Sequence, residues 1–190
     1  MKKIYISADE LLLDSFKLGV EIYNSGFRPD FIVGVWRGGA PVGIAIQEIL
    51  LYLGIETDHI AIRTSSYIGI NTQLKSVRIH GLDYLVKNIN AENKLLIVDD
   101  VFDSGRSIKA ILDTLHAKSR KNTPKDIRVA MPWYKPKRNN TTIIPQYYLH
   151  ETDDWLIFPH EMEGLSRDEI FANKKGVKDI LYNVGTDKSV

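Results

Sequence analysis

Apolar and polar positions follow two different rhythms along this chain. Near its start, Leu11, Phe16 and Val20 recur at helical spacing behind Ser7, which stands three residues before Glu10. Ser-x-x-Glu ahead of an apolar series is a capping box, so a helix is predicted to begin here and end near Gly26. Phe31-Ile32-Val33-Gly34-Val35 is instead a continuous apolar run between Pro29-Asp30 and Gly38-Gly39. A run that short, with no polar position, predicts a strand buried on both faces. Residues 40–53, rich in Ile, Leu and Ala, predict the next helix, stopped at Gly54.

The alternation continues. His59 to Ile62 predicts a strand, and residues 64–82, polar and weakly periodic with two glycines, predict a long loop of the functional or mobile kind. Leu95 to Val98 predicts another buried strand and Ser107 to Lys118 another helix. Ile127 to Met131, Tyr147 to Leu149 and Trp155 to Phe158 are further strand candidates, and Asp168 to Tyr182 predicts a last helix. Strands alternating with helices predict an α/β protein with a parallel sheet flanked by helices. Such sheets bind ligands at the carboxyl ends of their strands, which directs attention to the turns after Val35 and Val98.

Composition narrows the picture. With 190 residues, 44% of them hydrophobic, the chain fits one domain with a sizeable core. The absence of cysteine excludes a disulfide framework, a thiolate metal site and a cysteine nucleophile. Twenty-five Lys and Arg against 24 Asp and Glu leave a formal charge of +1, which gives no general attraction to nucleic acid or membrane. Met1-Lys2-Lys3 is followed only by Ile4 to Ile6 before acids intervene, too short for a signal sequence, and no apolar run approaches the roughly 18 residues of a membrane span. A soluble cytoplasmic protein is expected. The charges are nonetheless uneven: residues 117–140 hold eight Lys/Arg and one acid, residues 148–169 seven acids and one base, which reads as two solvated faces.

The segment richest in chemistry runs from Leu95 to Ser107: LLIVDDVFDSGRS. Four apolar residues lead into two carboxylates, then a third, then a small hydroxyl-bearing turn that opens a helix. Asp103, Ser104, Gly105, Arg106 and Ser107 offer backbone N–H groups and hydroxyls at a helix N-terminus, an arrangement suited to a phosphate dianion. Asp99 and Asp100 at a strand end can accept hydrogen bonds from vicinal sugar hydroxyls or hold a hydrated cation. Neither the P-loop nor the dinucleotide fingerprint is present. His160-Glu161 lacks the second histidine of a zinc motif, and the other histidines show no ligand spacing.

These thirteen residues resemble the phosphoribosyl-pyrophosphate (PRPP) motif of type I phosphoribosyltransferases, and the resemblance covers about residues 31–161. It implies that Asp99 and Asp100 meet the ribose hydroxyls, directly or through Mg²⁺ and its waters. It further implies that Asp103 to Ser107 hold the 5′-phosphate and that Asp103 exchanges a proton with N7 of a purine. Val35-Trp36-Arg37-Gly38-Gly39 stands where the family keeps its pyrophosphate loop; Arg37 and Gly38 would meet pyrophosphate, and the Trp36–Arg37 peptide is expected to be cis. Ser65-Ser66-Tyr67 is similar to the Ser-Tyr of the family's flexible lid. Lys135 resembles the lysine that donates to the 6-oxo group of hypoxanthine, guanine or xanthine. Trp155-Leu156-Ile157-Phe158-Pro159-His160-Glu161 resembles the base segment of the purine enzymes. There Trp155 would stack on the base, the Leu156 carbonyl meet its edge, and Glu161 accept from it or approach a second metal; His160 stands where relatives usually carry tryptophan.

The resemblance thus implies a single domain over 1–190, with a core at about 25–135 and a small base-binding hood at about 136–165 plus a C-terminal extension. It implies Mg²⁺ as cofactor, PRPP and a purine base as partners, no nucleic acid or membrane, and a homodimer or homotetramer. Two alternatives stand beside the purine enzyme. One is a type I enzyme with another acceptor base, against which Lys135 and Trp155 argue. The other is a PRPP-binding regulator without turnover, kept open by the basic stretch 117–140 although no helix-turn-helix precedes the core.

Overall fold

A computed structural model describes residues 2–68 and 75–181, without the side chains of 66–68 and 75–77. These residues form two compact units, one within 12–153 and one of the described residues before 12 and after 153.

The elements in chain order are β1 (Lys3–Tyr5), α1 (Ala8–Asn24), β2 (Phe31–Trp36), α2 (Gly39–Tyr52), β3 (Asp58–Ile68), β4 (Lys75–His80), α3 (Leu82–Asn88), β5 (Lys94–Val98), β6 (Val101–Phe102), α4 (Arg106–Ser119), β7 (Asp126–Tyr134), β8 (Tyr147–Glu151), β9 (Trp155–Ile157), α5 (Arg167–Asn173) and α6 (Val177–Leu181). The larger unit is built on a seven-stranded sheet of order β4-β3-β2-β5-β7-β6, with β8 also pairing β7. All its pairings are parallel except β3 with β4.

The capping box is present. Glu10 N–H donates to Ser7 Oγ at 3.2 Å, and Ser7 N–H donates to the Glu10 carboxylate at 2.8 Å. The central strands are buried as their unbroken apolar runs demand. Val33, Leu95, Leu96, Ile97 and Val98 are fully enclosed. One face of the sheet carries Phe31, Val33, Val35, Leu95, Ile97, Val129 and Met131, packed against Leu82 and Leu85 of α3 and Ile108, Ile111 and Leu115 of α4. Fully burying each such side chain is worth about 1.5–3 kcal/mol, so this cluster fixes the strand register. Register in turn sets where each strand ends, and hence where the loops carrying polar residues emerge.

Two expectations fail. Residues 64–82 are not one long loop. Residues 64–68 continue β3, residues 75–80 return as antiparallel β4 with Arg63 opposite His80, and α3 starts at Leu82. The cause is position: past Arg63 strand β3 has run beyond the end of β2 and pairs with β4 alone. With Arg63 exposed and Thr64 and Ser65 half-buried, backbone pairing holds these strands with little apolar alternation to announce them. The predicted helix at Asp168 to Tyr182 is two short ones: Lys174 leaves the helical path in an extended conformation, and Gly176 turns at φ +79° before α6 begins. Residue 182 lies outside the described residues.

The smaller unit holds a two-stranded parallel sheet, β1 with β9, in which Lys3, Ile4 and Tyr5 face Trp155, Leu156 and Ile157. Among the described residues no helix is long and apolar enough to cross a membrane.

Candidate functional site

Strand β5 ends at Val98, and the two carboxylates follow at once. Asp100 is buried, and the Asp99 carboxyl is enclosed by protein although the residue as a whole is only half-buried. Asp100 N–H donates to Asp99 Oδ1 at 3.0 Å, and the Gly39 N–H also reaches the Asp99 carboxyl. Burial, reinforced by the neighbouring Asp100 charge, nonetheless pushes the Asp99 carboxyl well above the ordinary carboxylate range. A pair of carboxyls this enclosed suits sugar hydroxyls or a hydrated cation approaching the strand end.

The turn after β2 lies directly against this pair. A Cβ on Gly38 would stand 1.7 Å from Asp100 Oδ2, and one on Gly39 would stand 2.4 Å from the Val98 carbonyl oxygen. The family resemblance implies that Gly38 meets pyrophosphate; the structure adds that no side chain fits between this turn and the β5 carboxylates. The Trp36–Arg37 peptide is cis, as expected, and Arg37 is exposed at the mouth of the turn.

Past β6, Asp103 to Gly105 lead into α4. Gly105 occupies the N-cap position with φ +73° and brings no side chain to the exposed amides of the first turn. A Cβ there would also stand 2.6 Å from Thr141 Oγ1 and 2.8 Å from the Phe102 ring. Arg106 N–H is 3.5 Å from Ser104 Oγ. A cavity of about 80 Å³ opens over this turn, lined by Asp99, Asp103, Ser104, Gly105 and Ser107 among others. Amides at a helix N-terminus and small hydroxyls around so small a space favour a compact anion.

Asp103 is the centre of a charge cluster. Its Oδ2 lies 3.3 Å from Nζ of Lys135 and its Oδ1 lies 2.8 Å from Nε of Arg138. Lys135, at the end of β7, is itself buried, and its N–H donates to the Phe102 carbonyl at 2.9 Å. Two cations of different reach therefore hold one carboxylate, at 35% exposure, at the edge of the phosphate-sized cavity. The sequence brought Lys135 and Asp103 into the site separately; the structure joins them. It also adds Arg138, which nothing in the sequence set apart from the other cations of its basic stretch. Beyond Asp103 an open cavity of about 590 Å³ is lined by Ser104, Arg106, Lys137, Arg138 and Asn140.

Ser65, Ser66 and Tyr67 are strand residues of β3, opposite Arg78, Val77 and Ser76 of β4. Ser65 Oγ is 3.2 Å from Nε2 of His80, while the side chains of Ser66 and Tyr67 lie outside the described ones.

The remaining predicted residues belong to the smaller unit. Trp155 is half exposed, with Nζ of Lys3 5.6 Å from its ring centre, and Leu156 is buried. Glu161 turns back on its own segment: its N–H donates to the Phe158 carbonyl at 3.0 Å, and its Oε2 accepts from Phe158 N–H at 3.1 Å. His160 stacks on the Phe158 ring at 5.7 Å and 10°. Among the described residues no cluster of three or more metal-ligating side chains is found.

The chain is similar to a purine phosphoribosyltransferase structure from Pyrococcus horikoshii Ot3, with 25% identity, a TM-score of 0.69, and 87% of this chain and 99% of that one covered. A hypothetical protein from Neisseria gonorrhoeae with bound ppGpp aligns at 20% identity and a TM-score of 0.71, covering 91% and 96%. The xanthine-guanine-hypoxanthine phosphoribosyltransferase of Helicobacter pylori aligns at 19% identity and a TM-score of 0.65, covering 95% and 99%. No curated protein matches by sequence. Residues 7–166 match the Phosphoribosyl transferase domain family, and the chain belongs to that family.

Proposed function

We propose that this protein transfers the 5-phosphoribosyl group of PRPP to N9 of a 6-oxopurine, releasing pyrophosphate. The observation that carries the reading is Asp103, held by a buried lysine and an arginine at the edge of a small anion-sized cavity, beside two enclosed carboxylates. The likeness to the Pyrococcus purine enzyme, over nearly all of that chain, supports a purine acceptor.

In this reading the α4 amides, Ser104 and Ser107 bind the 5′-phosphate, which anchors the ribose. Asp99 and Asp100 orient the ribose hydroxyls, and Arg37 with the backbone at Gly38 draws the pyrophosphate group away from C1′. As the bond from C1′ to the pyrophosphate oxygen breaks, N9 of the base bonds to C1′ and the base loses a proton. Asp103 takes that proton at N7, and Lys135, a pure donor, marks a 6-oxo group in preference to a 6-amino one. Trp155, Leu156 and Glu161 are the proposed base contacts, and the β3 segment Ser65 to Tyr67 the proposed lid that excludes water. Acceleration comes mainly from positioning and from charge placed before the reaction starts. The enclosed Asp99–Asp100 pair fits a water-bridged Mg²⁺, which when bound supplies positive charge to the pyrophosphate and ribose oxygens.

The test is Mg²⁺-dependent pyrophosphate release from PRPP, measured with hypoxanthine, guanine, xanthine, adenine and uracil. Release with one or more 6-oxopurines, and a more than tenfold lower kcat for Asp103→Asn with PRPP binding kept, is expected. Release with uracil or adenine alone would redirect the acceptor. Thermal stabilisation by PRPP with no release from any base would identify a binding protein.

A further inference from the structure

The base segment of the smaller unit is held by a residue to which the family resemblance gives no role. The match to the family ends at residue 166, and Lys174 lies beyond it, at the C-cap of α5. Its Nζ donates to the Phe158 carbonyl, and the residue is 9% exposed. That carbonyl is the acceptor that closes the turn from Phe158 to Glu161, with Pro159 in its second position. Phe158 is therefore pinned three ways: its N–H by Glu161 Oε2, its carbonyl by both Glu161 N–H and Lys174, its ring by burial.

A buried ammonium is costly, and a packing role alone would be met by methionine or leucine. Burial pushes the Lys174 pKa down, and the Glu161 carboxylate of the same turn acts the other way. Helix α5 gives the lysine its place. At the helix start Ser166 and Glu169 form a capping box, and Glu169 also accepts from Lys3 at 2.5 Å and Tyr5 at 3.1 Å on β1. At its end the Lys174 N–H donates to the Ile170 carbonyl at 2.7 Å. The helix thus bridges the strand that pairs with Trp155 and the turn that follows Ile157.

We infer that Lys174 is a positioning residue for base recognition: by holding the Phe158 carbonyl it fixes the turn that carries Glu161 beside Trp155 and Leu156, and so governs affinity for the base but not for PRPP. This rests on the proposed use of residues 155–161 for the base.

The experiment compares the whole protein with Lys174→Met, Lys174→Gln and Lys174→Arg. Steady-state KM is measured for the most active 6-oxopurine and for PRPP, and hydrogen exchange over residues 158–161 is followed without ligands. Lys174→Met should raise the base KM about tenfold and leave the PRPP KM within about twofold, while Lys174→Arg restores the base KM to within about threefold. Exchange at the Glu161 amide should rise in step. Should the methionine variant not fold, the glutamine variant, which keeps a donor without the charge, carries the same comparison. Unchanged exchange and base KM in a folded variant overturn the inference, as does an equal rise in both KM values. Faster exchange in a variant of a wild-type protein that turns over no 6-oxopurine would instead locate the failure in the base-site reading.

Discussion

Asp99 carries a conflict that a structural role would not require. Its carboxyl is enclosed and next to another, and burial with the Asp100 charge raises its pKa well above the ordinary 3.8. A raised carboxyl pKa means that the ionised form opposes folding. The penalty is absent below the ordinary value and grows as pH rises from 3.8 through the raised one. Asp99→Asn should therefore raise the Tm of the ligand-free protein at pH 7, by about 2–4 °C for each kcal/mol relieved, and the advantage should vanish as pH falls toward 3.8. The same change should weaken PRPP binding more than tenfold. Calorimetry across pH, with and without PRPP and Mg²⁺, checks both; a variant no more stable than wild type at pH 7 would show that local hydrogen bonds already offset the buried charge. The candidate pair Asp99 and Asp100 was legible because three acids in five residues follow at once on a buried apolar run. Arg138 was not, since a cation in a basic stretch looks the same whether it faces water or grips Asp103.

Between β2 and α2 the chain passes within contact of the end of β5, so one element's turn is the wall of another's site. Gly38→Ala should be poorly tolerated, because its Cβ would fall 1.7 Å from a carboxylate oxygen of Asp100. Displacing a buried side chain in this way costs about 1–3 kcal/mol, and PRPP KM should rise at least tenfold as Asp100 moves. Denaturant unfolding and PRPP kinetics measure the two effects; wild-type values in both would mean that the turn relaxes freely. Elements with continuous apolar runs, β2 and β5, were readable within a residue or so of their observed bounds, as was α4. The β3–β4 pair was not: among its described side chains Arg63, Arg78 and His80 are exposed and Thr64 and Ser65 half-buried, so little apolar alternation announces it. Helix α3, seven residues long with only Leu82 and Leu85 buried at its apolar positions, is too short to show a period. Helices α5 and α6 looked like one because helical spacing does not reveal that Gly176 adopts a left-handed φ.

At the scale of the molecule the near-zero net charge hides a division of labour. Six of the eight cations in residues 117–140 stand in ion pairs: Lys118 with Asp83, Lys125 with Glu92, Arg128 with Asp126, Lys137 with Asp153, and Lys135 and Arg138 with Asp103. A composition window sees a basic run; folding disperses it among acids from other elements. Strand β1 and helix α5 are joined by charge as well. Lys3, with help from the Ser166 N–H and Tyr5, lowers the Glu169 pKa from 4.5 to about 2. A depressed carboxyl pKa stabilises the folded state above the unfolded value and loses that contribution as pH falls through the folded one. Glu169→Gln should therefore lower Tm at pH 7, with the gap to wild type closing between pH 4.5 and about 2. A gap that persists at the acid end would assign the effect to packing and not to charge.

The parallel pairing of β1 with β9 sets an order on biosynthesis. Lys2 and Asp154, joined by a 3.3 Å hydrogen bond, are 152 positions apart. At about 5–20 residues per second the first strand waits on the order of 8–30 s for its partner to be made. Residues 12–153, which carry the Asp99, Asp103 and Lys135 cluster, are complete by then. Strand β1 therefore has no partner strand until Trp155 to Ile157 have been made, and the segment bearing Trp155 can pair only after the larger unit is in place to fold.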